Sequence, residues 1–190
     1  MCSSDLIDGV DFSGSNLLGA RFRQAAIADC DFKHARVDLA RFINSTLSNC
    51  NFSHAKLRKI QLQDIDPITH QLRYSKLLKC NFEGSDLTWV WLGEQDLTDT
   101  NFSSATLICA DFGKCEVAGS NFTNCDIRGA NMTGIDPRLL ESCAGALFDD
   151  STMLHLPPRS EGYSWTDVQL KEIRELWRSC GARHVNDNAV

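Results

Sequence analysis

Counted from Ile7 in steps of five, the chain places an apolar residue at every stop but one as far as Met132. The stops run Ile7, Phe12, Leu17, Phe22, Ile27, Phe32, Val37, Phe42, Leu47, Phe52, Leu57 and Leu62, and past Pro67 they resume as Leu72, Leu77, Phe82, Leu87, Leu92, Leu97, Phe102, Leu107, Phe112, Val117, Phe122, Ile127 and Met132. Neither a helix (period 3.6) nor a strand (period 2.0) produces this spacing, so simple amphipathic elements are excluded. A fixed internal period marks a solenoid. Two residues before each stop lies a small residue, as in Ala20, Cys30, Ala40, Cys50, Ser85 and Ala110. A polar residue, often Asp or Asn, stands between the two. The unit is therefore small, polar, large apolar, and two free positions.

Cys30-Asp31-Phe32, Ser85-Asp86-Leu87, Ala110-Asp111-Phe112 and Ala130-Asn131-Met132 show the unit cleanly. On these residues the chain resembles the pentapeptide-repeat family over residues 5–136. The resemblance implies an all-β solenoid, a right-handed quadrilateral β-helix with four pentapeptides to a coil. Large residues would point inward and small ones would let the corners close. The aromatic residues support a four-sided coil independently, because nine of the ten Phe lie at stops ten apart. Ten residues is half of a square turn, which puts aromatics on two opposite walls and aliphatics on the other two. Six to seven coils at strand spacing make a rod roughly 30 Å long. Its filled core leaves no room for a substrate.

The expected organisation is a β-helix over 5–136 followed by a closing segment, linker and amphipathic helix over 137–190. With the first coil starting close to Met1, no N-terminal domain is expected. No run resembles a signal peptide, and none approaches the ~20 apolar residues of a membrane span, so no membrane association is expected. Five of the nine Cys (Cys30, Cys50, Cys80, Cys115, Cys125) occupy the small inward slot, as buried hydrophobes interchangeable with Ala and Ser. No Cys-x-x-Cys pair exists, so no metal or other cofactor is expected, and the thiols suit a reducing cytoplasm.

Charge is unevenly spread along the chain. Residues 1–80 hold eleven Lys/Arg against eight Asp/Glu, and residues 81–136 hold two against nine. Taking every twentieth residue gives a wall centred on Val37, Leu57, Leu77, Leu97 and Val117. Its outward positions carry Arg36, Lys56 and Lys76 early, then Asp96, Asp99 and Glu116. In unbroken register this is one face, basic at one end and acidic at the other, suited to a partner of complementary polarity.

Regularity fails between Ile60 and His70. The expectation is a drifted, distorted coil; the alternative is a projecting loop of five, ten or fifteen residues. In quinolone-resistance members of the family such loops contact the target. Trp89 and Trp91 flank Val90 and are expected to point outward, as anchors for a partner or under a folded-back tail. His34 and His54 fall on one outward column, a coil apart.

The five-period stops after Asp136-Pro137. A helical turn is expected at Arg138–Ala144, a last strand near Ala146–Asp149, and a linker at Pro157-Pro158 and Arg159–Gly162. Thr166-x-x-Gln169 fits a capping box, and Leu170, Ile173, Leu176 and Trp177 give the following helix an apolar side. This helix either caps the final coil, whose edges would otherwise be exposed, or forms a homodimer through the tail.

No G-x-S-x-G, phosphate loop or H-E-x-x-H occurs, so no enzyme is indicated. The leading expectation is a non-enzymatic scaffold presenting flat faces to a protein partner. The alternative is a DNA mimic that binds DNA gyrase or topoisomerase IV and protects it from quinolones or toxins. Direct nucleic-acid binding is not expected at a sequence pI of 5.3.

Overall fold

The structure, a computed structural model, describes residues 5–65, 68, 70, 72–154 and 167–188. Pro67, Pro157, Pro158, Arg159–Gly162 and the Thr166 cap lie outside the described residues. The repeats wind into a right-handed quadrilateral β-helix. Its regular strands are β1 (Asp5–Asp8), β2 (Arg21–Arg23), β3 (Ala25–Ala28), β4 (Arg41–Ile43), β5 (Thr46–Ser48), β6 (Gln63–Ile65), β7 (Leu72–Tyr74), β8 (Lys76–Leu78) and β9 (Leu147–Phe148), followed by α1 (Asp167–Ser179) and β10 (Arg183–His184).

Each corner follows from the five-residue unit. At most corners the N–H of the small residue donates to the carbonyl three residues back, as Ala35 does to Phe32 at 2.9 Å, and the residue between them at His34 has φ +58°. A turn with φ above zero at its third residue is a type II turn, which favours Gly, Asn or Asp there. The small residue's Cβ faces the crowded interior. Where it is Ser or Cys its hydrogen goes to a main-chain carbonyl: Ser120 Oγ to Leu97 at 2.6 Å, Cys125 Sγ to Phe102 at 2.7 Å. Burial pushes the Cys115 and Cys125 thiols up to about 12, so both stay protonated structural groups.

Four columns of side chains fill the core. One column stacks Phe12, Phe32, Phe52, Phe82, Phe102 and Phe122 with ring centroids 4.5 to 5.3 Å apart. Phe22, Phe42 and Phe112 belong to the opposite wall, and two of them meet this column edge-on, Phe42 against Phe52 at 88° and Phe112 against Phe102 at 84°. Aliphatics line the other two walls, Ile7, Ile27, Leu47 and Leu77 on one and Val37, Leu57, Leu87, Leu107 and Ile127 on the other. We number the walls in chain order from those following Ile7, Phe12, Leu17 and Phe22.

Before the closing coil, the register contains one break. Most rungs pair residues 20 apart, such as Asn51 with Asp31, but Asn81 lies over Asn51 at a separation of 30. The extra ten residues form a hairpin in which β6 and β7 pair antiparallel, Gln63 with Tyr74 and Ile65 with Leu72. It is spliced into a corner. The Ser75 N–H donates to the Leu62 carbonyl at 2.6 Å, the bond that elsewhere links residues three apart. Ile65 and Ile68 on the hairpin are 59% and 86% exposed. The drifted coil expected here is corrected to a projecting hairpin, because the coil closes beneath it without needing its residues.

At the C-terminal end the expected helical turn is shorter, a 3-10 turn at Pro137–Leu139, and Ser142 returns to pair with Asn121. Helix α1 then closes the last coil. Ile173 is buried and Trp177 is fully enclosed, while Leu170 and Leu176 are half-buried. The helix ends at Gly181 (φ +96°), where Gly181 and Ala182 N–H groups donate to the Arg178 and Trp177 carbonyls, a Schellman motif. That stop turns the chain into β10, which pairs parallel with β9.

Truncating the plug should therefore loosen the last coil. Trp177→Ala is expected to cost about 3–5 kcal/mol in urea unfolding. A loss below about 0.5 kcal/mol, the level of an ordinary surface change, would contradict the capping geometry.

Candidate functional site

With the core filled, chemistry is confined to the surface, and its placement depends on the half-turn that the hairpin adds to the residue count. Arg36, Lys56 and Asp86 are successive outward positions of the third wall. Lys76 instead pairs with Thr46 on the first wall, where Asp96 and Glu116 follow as adjoining rungs further down. The single face graded from basic to acidic is thus corrected. Ten extra residues put Leu87, not Leu77, beneath Leu57, so Arg36 and Lys56 lie on the wall opposite Asp96 and Glu116.

The third wall's charges are interlocked around a buried carboxylate. Asp38, 4% exposed, accepts from the Arg58 N–H and Nε, both at 3.1 Å, and from Arg36 Nε at 3.3 Å. Arg58 also reaches Asp86 at 3.6 Å, one rung below. Burial pushes the Asp38 carboxyl up, but the hydrogen bonds from Arg58 and Arg36 outweigh it and hold its pKa below the usual value.

On the first wall, Asp96, Asp99 and Glu116 are exposed and pair with no cation among the described residues. Hydrogen bonds from the Thr98 side chain and N–H hold Asp96 low. Asp99 occupies the adjacent corner in the left-handed region, φ +56°.

The two tryptophans differ. Trp89 stands on the edge between the third and fourth walls, 60% exposed. Trp91 is half-buried because the Tyr74 ring stacks on it, centroids 5.6 Å apart and 19° from parallel. The Tyr74 hydroxyl donates to Glu94 at 3.1 Å, and Lys114 sits 3.8 Å from the same carboxylate. The cover on Trp91 is therefore the hairpin, not the tail. Tyr74 lies outside the five-residue pattern, so the repeat gave no signal for it.

Between the hairpin and the Trp89 edge lies a cleft of about 440 Å³, lined by Arg41, Lys59, Gln61, Gln63, Trp89 and Trp91 among others. Of its basic residues, Arg41 donates from Nε to the Gln61 side chain. Sequence periodicity missed Arg41, because it occupies an ordinary outward slot of an early coil. His34 and His54 stack at 5.2 Å as the column spacing predicts. Of the helix residues expected to cap or to dimerise, Ile173 and Trp177 pack into the core at the cap, and Leu170 and Leu176 are half-buried.

The Asp38 network gives a pH prediction. A carboxylate whose folded pKa is depressed adds stability above its unfolded pKa of about 3.9, and that stability is lost as pH falls through the folded value. The acid limb of unfolding below about pH 4 is expected to flatten in Asp38→Asn. An unchanged acid limb in thermal melts would show that Asp38 is not what the protons titrate.

Models of pentapeptide repeats match residues 7–56, as nine copies, and 96–134, as eight copies. No curated protein matches the chain. Among solved structures, the chain is similar to HetL, a pentapeptide repeat protein involved in heterocyst differentiation regulation from the cyanobacterium Nostoc sp. strain PCC 7120, at 16% identity and TM-score 0.45, covering 79% of this chain and 83% of that one. Trypsin-treated QnrB1, a plasmid-mediated fluoroquinolone resistance protein, matches at 15% identity and TM-score 0.32, covering 90% and 95%. Rfr23 from the cyanobacterium Cyanothece 51142 matches at 14% identity and TM-score 0.30, covering 78% and 87%.

Proposed function

The chain belongs to the pentapeptide-repeat family, and from that premise we propose that it is a non-enzymatic, cytoplasmic scaffold that presents its walls to a protein partner. The observation that carries this reading is the closed core: Phe and aliphatic columns fill the coil from wall to wall, so recognition falls to the surface. Projecting from that surface are the hairpin and Trp89, set between a basic stretch of the third wall and an acidic stretch of the first. Cytoplasmic residence is supported by the cysteines, free thiols at all eight described positions. No helix among the described residues is long and apolar enough to cross a membrane. In this reading α1 serves as a cap and the working unit is the monomer.

A second reading, DNA mimicry toward DNA gyrase or topoisomerase IV, is favoured by one observation. Asp96 and Glu116 stack on adjoining rungs with Asp99 beside them, and the corrected register removes Arg36 and Lys56 from that face.

A gyrase supercoiling assay with the purified protein, with and without a quinolone, separates the two. The scaffold reading expects no effect on gyrase, and partner capture that falls about tenfold or more on charge reversal of a docking wall. Inhibition at micromolar protein that is lost in Asp96→Lys with Glu116→Lys would replace it with mimicry. A specific hydrolase or transferase activity in the pure protein would sink both.

A further inference from the structure

The cleft beside the hairpin combines features that the repeat does not require. Among the described residues Arg41 bonds the Gln61 amide and neither Arg41 nor Lys59 pairs with a carboxylate. Three arginines of the early coils are paired, Arg23 with Asp64 at 3.8 Å and Arg36 and Arg58 with Asp38, and none of these pairs draws on Arg41 or Lys59. Two cations left facing one cleft repel each other and attract an anion. The Gln63 Oε1, on the same lining, is enclosed and accepts no hydrogen bond from the described residues.

The edge bordering the cleft is also unusual. Its corner residues run Gly19, Leu39, Lys59, Trp89, Cys109 and Gly129, all with positive φ. Most corners elsewhere hold Gly or a polar residue. Here Leu39 and Trp89 are large, apolar and 54% and 60% exposed, one rung above and one rung below Lys59. Two rungs span about 10 Å, the reach of three residues of extended chain. The edge therefore alternates apolar, cationic and apolar groups over a distance that a short strand can follow.

We propose that this cleft binds an acidic, extended segment of a partner protein, with its carboxylates on Arg41 and Lys59 and an apolar side chain against Trp89. This rests on the scaffold reading and names the partner's chemistry. A single-stranded nucleic acid fits less well. Tyr74 already covers the Trp91 ring, leaving one aromatic face for stacking where such strands use several.

The test is fluorescence anisotropy of the full chain with three labelled probes: a dodecapeptide of Asp, Glu and Ser with a central Phe, the same peptide with Lys for every acid, and an oligothymidylate of matched length. The acidic peptide is expected to bind in the micromolar range, more weakly as salt rises, and the Lys peptide not at all. Trp89→Ala should weaken binding about tenfold, as loss of an interface anchor does. Arg41→Glu with Lys59→Glu should abolish it. Asp96→Lys with Glu116→Lys, on another wall, should leave it unchanged, and thermal melts should show all variants folded. Equal binding of the wild type and the Arg41→Glu, Lys59→Glu variant overturns the proposal. So does binding of the oligothymidylate in preference to the peptide, or no binding of any probe. If the cleft fails while partner capture through a charged wall persists, this inference falls and the scaffold stands. If capture fails for every wall as well, both fall.

Discussion

Main-chain hydrogen bonds tie each rung of this coil to the next at strand spacing, and that interval decides which side chains touch. At about 4.8 Å a flat ring stacks on a flat ring, which is why Phe32 and Phe52 sit 4.5 Å apart and 6° from parallel. Outside the coil the same interval brings amides within bonding range, so Asn51 donates to Asp31, Asn81 to Asn51, and Asn101 to Asn81. Corner geometry depends on it too, because small residues must repeat in line for the turns to superpose. A large residue in the small slot, such as Val90, is tolerated when fully buried, but each such exception has to fit the rungs on either side.

A ladder of this kind makes rigid walls and leaves variety to whatever departs from it. The hairpin departs without disturbing the core: Leu62 and Ser75 remain buried on either side of it. It also creates relief, covering Trp91 through Tyr74 and leaving a cleft against the Trp89 edge. The tail closes the far end by other means, a helix whose Trp177 lies against the last coil's apolar residues. Relief and end-closure are thus supplied by non-repeating segments, and the repeats supply the frame.

The fold was legible because a strict period of five admits few architectures, and the Phe spacing identified the opposite walls. The helix and the last strand were legible for ordinary reasons: an apolar side on Ile173 and Trp177, a Gly at 181, and apolar residues near Leu147. The wall assignment was not. Ten residues is half of a turn, so an insertion of ten keeps aromatics on the aromatic walls, and the alternation that reveals the square cannot reveal the break. A finer signal was present. Cys30-Asp31-Phe32, Cys50-Asn51-Phe52, Cys80-Asn81-Phe82 and Thr100-Asn101-Phe102 repeat nearly the same triplet, and only a ten-residue excursion after Leu62 brings them into one column. The shielding of Trp91 was beyond reach, since Tyr74 belongs to the excursion.

The same half-turn arithmetic makes the coil behave like two dials on one axle. Were the ten hairpin residues drawn into the coil as two more repeats, the core would still pair aromatic with aromatic wall. The later half of the surface would then turn by 180° against the earlier half, bringing Asp96 and Glu116 onto the side of Arg36 and Lys56. A lineage of such rods can therefore rearrange which charges share a side in one step, with no substitution in the interior. Excursions of five residues lack that freedom, because absorbing one would set phenyl rings over aliphatic walls.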